Sequence, residues 1–204
     1  MSFKNREQAA HLLAHKLIAY QGKNPLVLAI PRGAVPMARI IADALRGEMD
    51  VVLVHKIGAP FQQELAIGAV AENGDVYLND YAHHVTKTYI DTELQKQLNV
   101  IHARRMQYTQ KHLAPLIKDR IVIIVDDGIA TGSTMIAALK SLRSQQPAKL
   151  IVAVGVGPND TIEFLQTLAD EVVCLETPDS FYAVGQFFQE FPQVSDEEVI
   201  NAFK

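Results

Sequence analysis

Continuous apolar runs alternate with helical segments through most of this sequence, and that alternation is the feature that most limits its fold. Strands are predicted at the apolar runs 26–30, 51–55, 121–125, 149–154 and 171–175. Helices are predicted at 3–20, 36–46, 88–112, 134–145 and 160–169. Uninterrupted apolar strands separated by helices are typical of a parallel sheet that is buried on both faces. We therefore expect an α/β fold, a parallel sheet flanked by helices.

Local signals predict two further features of this pattern. Residues 66–79 place Asn73 and Gly74 between two strand-like runs. Such a pair favours a hairpin with a type I′ turn, because both central residues of that turn need a positive φ. Thr88 and Asp91 are predicted to form the capping box of the long helix.

The C-terminal part of the chain departs from the alternation. It is rich in aromatic residues and irregular, and Ser195 begins the capping sequence of a short final helix. We expect a single domain over residues 1–204, with a flexible loop at about 56–80 and a C-terminal hood, or lid, at about 176–204.

Composition excludes several classes of protein. The chain has 204 residues and a formal net charge of −4, so an obligatory nucleic-acid partner is not indicated. Cys174 is the only cysteine, which excludes an internal disulfide framework and favours a reducing compartment. Its apolar neighbours indicate a buried, unreactive thiol. No apolar run approaches the ~20 residues of a membrane-spanning helix, and the N-terminal residues lack the apolar core of a signal peptide. We expect a cytoplasmic protein without a membrane partner.

One cluster of basic residues occurs, on the predicted long helix. It comprises Arg104, Arg105, Lys111 and His112. A local basic patch can bind nucleic acid, but such clusters are more often solvated helix faces. We expect a solvated face here.

The strand at 121–125 leads into the stretch most informative about function, DDGIATGST at 126–134. Ligands of open α/β sheets bind beyond the carboxyl ends of the strands. Small residues let backbone N–H groups approach an anion, hydroxyl groups add donors, and a helix N-terminus favours negative charge. The residues expected to bind a phosphate group are Gly128, Ala130, Thr131, Gly132, Ser133 and Thr134.

Asp126 and Asp127 require a different ligand group, because carboxylates would repel phosphate. Their oxygens can accept hydrogen bonds from the vicinal hydroxyl groups of a sugar. The combined pattern predicts a ribose 5-phosphate. The alternative is an ordinary strand-end turn, in which Asp, Gly, Ser and Thr are common. The strand–loop–helix context favours the binding site.

VDDGIATGST, at 125–134, resembles the signature of the type I phosphoribosyltransferases, which use 5-phosphoribosyl-1-pyrophosphate (PRPP). Three other stretches support the resemblance: 29–38, 55–74 and 181–199. Together they resemble a motif-defined group of phosphoribosyltransferases without a known acceptor. The resemblance covers nearly the whole chain and implies the fold of that family.

The resemblance implies Mg²⁺-dependent transfer of phosphoribosyl from PRPP to a nitrogenous base, with release of pyrophosphate. It assigns the ribose 2- and 3-hydroxyl groups to Asp126 and Asp127. It assigns pyrophosphate binding to the backbone at Arg32 and Gly33, and a contact with pyrophosphate or its magnesium complex to Lys56. Mg²⁺ would be held mainly by PRPP, with no direct protein cage. For Lys56, a strand-end lysine that reaches solvent remains the alternative.

The resemblance does not name the acceptor base. Ala130 stands where enzymes acting on hypoxanthine and guanine usually carry an aspartate, and residues 154–158 lack their lysine. Both differences disfavour a 6-oxopurine. Phe181 or Tyr182 would stack on the base, and packing under the hood is the alternative for either ring. A homodimer is usual for the family, although the residues themselves indicate no oligomeric state.

Two other functions remain open on the same fold. One is a non-catalytic PRPP sensor that regulates a partner, and the other is hydrolysis of a phosphoribosyl compound. The presence of both Arg32 and Lys56 favours catalysis over sensing.

Overall fold

The computed structural model describes residues 2–109 and 114–204, with the side chains of residues 63 and 64 excepted. The helices are α1 (Arg6–Lys16), α2 (Val35–Leu45), α3 (Lys87–Thr109), α4 (Ser133–Ser144), α5 (Asn159–Gln166) and α6 (Asp196–Asn201). The strands are β1 (Leu26–Ala29), β2 (Glu48–Val51), β3 (Val54–Ala59), β4 (Gln62–Ala71), β5 (Val76–Leu78), β6 (Ile121–Gly128), β7 (Lys149–Val156) and β8 (Glu171–Glu176).

The main sheet has five parallel strands in the order β2-β1-β6-β7-β8. In the register between β1 and β6, Leu26 lies opposite Val122 and Ala29 opposite Val125. All the strands run the same way, so their carboxyl ends share one edge, with β6 in the middle. This confirms the predicted α/β fold with a parallel sheet flanked by helices.

Alternate side chains of these strands point into two cores, one on each face of the sheet. On one face, Val27 and Ile123 pack with α1 and α2. On the other, Leu28 and Ile124 pack with α4 and α5. Burial of one such side chain contributes about 1.5–3 kcal/mol. Because both faces are covered, the strands are apolar throughout, as their sequences indicated.

A second, antiparallel sheet, β3-β4-β5, occupies the segment predicted as a flexible loop. Its β4–β5 turn is fixed to α4, because Ser141 Oγ donates to Asn73 Oδ1 at 3.1 Å and Ser144 Oγ donates to Asp75 Oδ2 at 2.6 Å. The hairpin is where it was predicted, but the type I′ turn is wrong. Gly74 has a φ of 86° and Asn73 does not have a positive φ. Asn73 Oδ1 instead accepts from the Asp75 N–H at 3.1 Å, which shapes the turn without a left-handed Asn73.

The strand predicted at 51–55 is wrong, because the chain changes sheets within it. Val52 N still donates to Ala29 O of the main sheet at 2.9 Å, whereas Leu53 O accepts from Glu72 N beside the second sheet at 3.1 Å. An unbroken apolar run in sequence therefore contains the end of β2 and the start of β3.

The predicted helix starts also need correction. Thr86, not Thr88, caps α3, since Tyr89 N donates to Thr86 Oγ1 at 3.4 Å and Thr88 lies inside the helix. The predicted end of this helix at 110–112 lies outside the described residues. The N-terminal helix, predicted from residue 3, begins after Asn5, whose side chain accepts from Gln8 N at 3.1 Å.

Residues before α1 pair with the hood instead of extending the helix. Phe3 N donates to Phe187 O at 3.0 Å, and Gln189 N donates to Phe3 O at 3.0 Å. The rings of Phe3 and Phe188 lie 5.2 Å apart between centroids. The N-terminus is thereby joined to the segment predicted as a hood, which contains a short 3₁₀ helix, Val184–Phe187.

Arg105 is not on a solvated helix face, so that prediction is wrong for it. Its guanidinium donates to Asp50 at 2.7 Å and to Glu72 at 2.6 Å, and only 12% of its side chain is exposed. These two carboxylates belong to the edge of the main sheet and to the β4–β5 turn. Arg104 is exposed, while Lys111 and His112 lie outside the described residues.

Cys174 lies in the edge strand β8 and is therefore only partly buried. Burial raises the pKa of its thiol to about 11, which favours the unreactive protonated form. Separately, no helix within 2–109 or 114–204 combines the length and the apolar character that crossing a membrane requires.

Candidate functional site

The loop after β6 lines a cavity of about 220 Å³ at the carboxyl edge of the main sheet. The described residues that line it are Asp126, Gly128, Ile129, Ala130, Thr131, Gly132, Ser133, Thr134 and Met135. The structure therefore brings together all six residues predicted to bind phosphate, and Asp126 with them.

Gly132 directly precedes α4 at its N-cap position. It has a φ of 73°, a left-handed conformation that favours glycine. No side chain caps α4, so the first N–H groups of the helix remain able to bind an anion. Thr131 Oγ1 and Ser133 Oγ lie 3.2 Å apart beside them. Thr161 Oγ1 donates to Ala130 O at 3.2 Å and holds the loop. The arrangement suits a phosphate monoester.

The two aspartates have different environments. Asp126 lines the cavity, and its Oδ1 accepts from the Asp127 N–H at 2.9 Å. Burial, followed by the neighbouring charge of Asp127, raises the pKa of Asp126 well above its ordinary value. Asp127 Oδ2 instead accepts from Arg6 Nε at 2.8 Å, in an ion pair whose side chains are each 13% exposed.

Gly33, in the loop after β1, lies against Asp127. A methyl group built on Gly33 would be 2.3 Å from Asp127 Oδ2, so no larger residue fits without displacing that carboxylate. From the sequence, Gly33 was expected to let an anion approach the backbone closely. Its packing against Asp127 is a second reason why a glycine occupies this position. The predicted pyrophosphate loop and the predicted ribose carboxylate are therefore in contact.

Arg32 and Lys56 are not among the described residues that line the cavity. The peptide bond before Arg32 is cis, and Arg32 Nη1 lies 3.5 Å from Asp196 Oδ1 at the start of α6. Its side chain is 37% exposed and faces the hood. Lys56 is exposed in β3, opposite Ala69 of β4.

The hood covers the other side of the site. A methyl group on Gly128 would lie 2.5 Å from Val184 Cγ1, which shows that the hood rests on the end of β6. Of the two predicted base-stacking rings, Phe181 stacks on Phe187 with centroids 5.5 Å apart. The side chain of Tyr182 is 88% exposed. Tyr182 is therefore the ring that is free of hood packing.

Sequence reasoning missed Arg6 and Val184. Arg6 lies 121 positions before its partner Asp127, in a polar stretch that looks like any helix start. Val184 is one of several apolar residues in an irregular tail. No periodicity or motif singles out either residue, so only the folded structure identifies them.

Within the described ranges, no group of three or more His, Cys, Asp and Glu side chains is placed to hold a metal ion. Asp126 and Asp127 are adjacent acidic groups at the site. A hard cation such as Mg²⁺ would take most of its oxygen ligands from a bound phosphate compound and from water.

Comparison with known proteins agrees with this geometry. The family model for the phosphoribosyl transferase domain matches residues 3–190. Two Mycobacterium tuberculosis proteins, from strains CDC 1551 / Oshkosh and ATCC 25618 / H37Rv, are provisionally named as phosphoribosyl transferases. Each is 41% identical to this chain over 201 residues. The match covers 97% of this chain and 45% of each relative, so the chain spans less than half the length of these curated relatives.

A solved structure is similar to this chain over its full length. The crystal structure of TT1426 from Thermus thermophilus is 40% identical, with a TM-score of 0.88. The similarity covers 100% of this chain and 98% of that one. A parallel sheet, a cavity lined by the loop after its middle strand and a family match over most of the chain agree. The chain belongs to the phosphoribosyl transferase family.

Proposed function

We propose that this protein transfers the phosphoribosyl group of PRPP to a nitrogenous base in a Mg²⁺-dependent reaction that releases pyrophosphate. The observation that carries the proposal is the cavity after β6, where the six residues predicted to bind phosphate and Asp126 meet. Asp127 and Gly33 lie beside it in contact with each other. This arrangement offers separate places for a phosphate, a sugar diol and a second anion.

The 5-phosphate would lie in the loop 128–134, against the free N–H groups of α4 and the hydroxyl groups of Thr131, Ser133 and Thr134. Asp126 and Asp127 would accept hydrogen bonds from the ribose 2- and 3-hydroxyl groups. Such bonds favour the ionised form of Asp126, whose charge is disfavoured by burial. Ribose binding would thus offset the free-energy cost of burying the charge of Asp126 in the ligand-free protein.

The pyrophosphate would lie over the loop at Arg32 and Gly33, with Lys56 reaching it from the second sheet. Asp126 and Asp127 beside an anion-binding loop fit a Mg²⁺ ion held chiefly by PRPP oxygens, which when bound would neutralise charge on the leaving pyrophosphate. The chain's own contribution is positioning and charge stabilisation.

Displacement at C1 of the ribose would pass through an oxocarbenium-like transition state without a covalent protein intermediate. The hood would cover the acceptor base, with Tyr182 available to stack on it. Closure of the hood and the β3–β4 hairpin over the site would exclude water and limit hydrolysis of the activated ribosyl group.

The test is release of pyrophosphate from PRPP in the presence of Mg²⁺, measured across a panel of purine and pyrimidine bases with a no-base control. We expect release that depends on one base or a small group of bases. Release without any base would instead support hydrolysis. PRPP binding with no release across the panel would support the PRPP sensor.

We also propose a cytoplasmic setting and a homodimeric assembly. The single cysteine supports the first, because it fits a reducing compartment. Dimers are usual in the type I group that the motifs resemble, which supports the second. Light scattering of the purified chain tests the assembly, and a monomeric mass would overturn it.

A further inference from the structure

Arg6, the first residue of α1, lies where three parts of the site meet. Its Nε donates to Asp127 Oδ2 at 2.8 Å, and its Nη1 donates to Pro192 O of the hood at 2.6 Å. The guanidinium lies 3.7 Å from the ring centroid of Phe191. The side chain is 13% exposed, so these contacts fix its position before any ligand binds.

The third nitrogen of this guanidinium faces the loop after β1. A methyl group built on Gly33 would lie 3.3 Å from Arg6 Nη2. Nε and Nη1 have acceptors, whereas Nη2 has none among residues 2–109 and 114–204. It is not sealed from solvent either, because the only fully buried side-chain N or O atom without a partner in those ranges is Arg120 Nε. Arg6 Nη2 is therefore a donor on a rigidly held guanidinium. It points at the loop after β1 and has no protein acceptor among the described residues.

If an anion binds at Gly33, the negative charge nearby requires a positively charged donor beside it. The Asp127 carboxylate lies against Gly33 and would repel a pyrophosphate on the same loop. The positive charge of Arg6 offsets that repulsion, and its planar fork can donate to two acceptors at once.

We propose that Arg6 is a ligand-binding residue of this site, donating through Nη2 to an oxygen of the pyrophosphate group while Nε fixes Asp127 for the ribose. The assignment rests on the proposed function, since PRPP supplies both groups. It makes the N-terminal segment part of the substrate site, joined through Pro192 and Phe191 to the hood.

The test separates the two roles of Arg6 with inorganic pyrophosphate, which has no ribose for Asp127 to bind. Binding of pyrophosphate and of PRPP, each with Mg²⁺, is measured by calorimetry on the full chain. The variants are Arg6→Gln, Arg6→Lys and Asp127→Asn. Arg39→Gln is the matched control, because Arg39 forms an exposed ion pair with Asp43 on α2. Circular dichroism checks the fold of each variant.

We expect Arg6→Gln to weaken pyrophosphate binding about tenfold or more, the effect of losing one hydrogen bond to a charged group. Arg6→Lys should weaken it less, because the charge remains while the two-way fork is lost. If Arg6→Gln does not fold, Arg6→Lys carries the test. Asp127→Asn should weaken PRPP binding and leave pyrophosphate binding unchanged or tighter. Arg39→Gln should change neither.

Wild-type affinity for pyrophosphate in a folded Arg6→Gln or Arg6→Lys variant, together with weaker PRPP binding, would overturn the proposal. Arg6 would then act only through Asp127. If the wild-type protein bound neither PRPP nor pyrophosphate, the proposed function itself would fail, which is a different result.

Discussion

Val184 of the hood packs directly on Gly128, the last residue of β6. A methyl group added to Gly128 would lie 2.5 Å from Val184 Cγ1 and 2.9 Å from Val184 Cγ2. Gly128 also lines the cavity, at the start of the loop that follows β6. The hood therefore packs on the same residue that begins the loop, so a substitution of Gly128 should affect both the hood and the loop.

Gly128→Ala should displace the hood, because overpacking of this kind costs about 1–3 kcal/mol when the neighbours cannot move freely. Since the hood covers the proposed base site, we expect the KM for the acceptor to rise more than the KM for PRPP. Steady-state kinetics with each substrate varied in turn measures the difference. Val184→Ala in the same chain removes two of the three methyl groups within 3.0 Å, leaving Val156 Cγ1 of β7 at 2.9 Å, and should restore part of the loss. A double variant as impaired as Gly128→Ala alone would contradict this account.

Asp126→Asn should raise the stability of the ligand-free protein near neutral pH. Below the usual pKa of 3.8 the carboxyl is protonated whether the chain is folded or not, so the substitution changes little there. As the pH rises through the higher pKa of the folded state, burial penalises the charge, and the stability advantage of asparagine appears. Each unit of pKa shift corresponds to about 1.4 kcal/mol, and each kcal/mol to about 2–4 °C in Tm for a chain of this size.

Thermal unfolding of the wild-type protein and Asp126→Asn from about pH 4, near the ordinary pKa of 3.8, up to about pH 8 tests this sign. The difference in Tm should grow with pH. The same variant should bind PRPP more weakly, because an amide replaces the acceptor proposed for a ribose hydroxyl. A Tm difference that shrinks as the pH rises would contradict the burial of this charge.

Asp127→Asn should have the opposite effect on stability, although it is the same chemical change one residue away. It removes the charged partner of Arg6, whose side chain is largely buried. Loss of a hydrogen bond to a charged group costs about 1.5–3 kcal/mol, and relief of the repulsion with Asp126 offsets only part of this. We expect a lower Tm near neutral pH by the same unfolding assay, with the chain still folded at about 25 °C. A rise in Tm would show that the ion pair contributes little.

Lys56→Ala should reduce turnover more than it weakens PRPP binding, because the proposed contact is with the pyrophosphate as its charge develops. Lys118→Ala is a suitable control, since Lys118 is exposed and precedes β6 at the opposite edge of the sheet. Pre-steady-state rates and calorimetric affinities separate the two effects. Unchanged turnover in Lys56→Ala would remove this residue from the proposed mechanism.

The parts of the site that were predictable are those encoded in one continuous stretch. The run 121–134 contains the strand, the two aspartates, the loop that lines the cavity and the start of α4, so spacing alone placed them together. The contacts of Asp127 could not be predicted in the same way. They come from Arg6 and Gly33, which other elements bring to the site. Long-range packing of this kind leaves no local pattern.

The fold shows the same division. The core strands were predictable because both faces of the sheet are buried, which leaves apolar residues throughout. The break between β2, which ends at Val51, and β3, which begins at Val54, could not be predicted. The chain moves there from one sheet to the other without any change in apolar character. Arg105 was misjudged for a related reason. A basic residue on a helix looks solvated until Asp50 and Glu72 are known to face it.

The two ion pairs of Arg105, with Asp50 and with Glu72, limit how the second sheet can move. They tie the β4–β5 end of that sheet to β2, while Ser141 and Ser144 of α4 hold the same end from another side. The opposite end is held at Gly58, whose O accepts from Tyr89 Oη of α3 at 3.0 Å, whereas Phe61 in the turn between β3 and β4 is fully exposed. Closure of this hairpin over the substrate would then be a rotation of the short tip beyond Gly58 about a stationary base, so the few residues of that tip set how far it can travel.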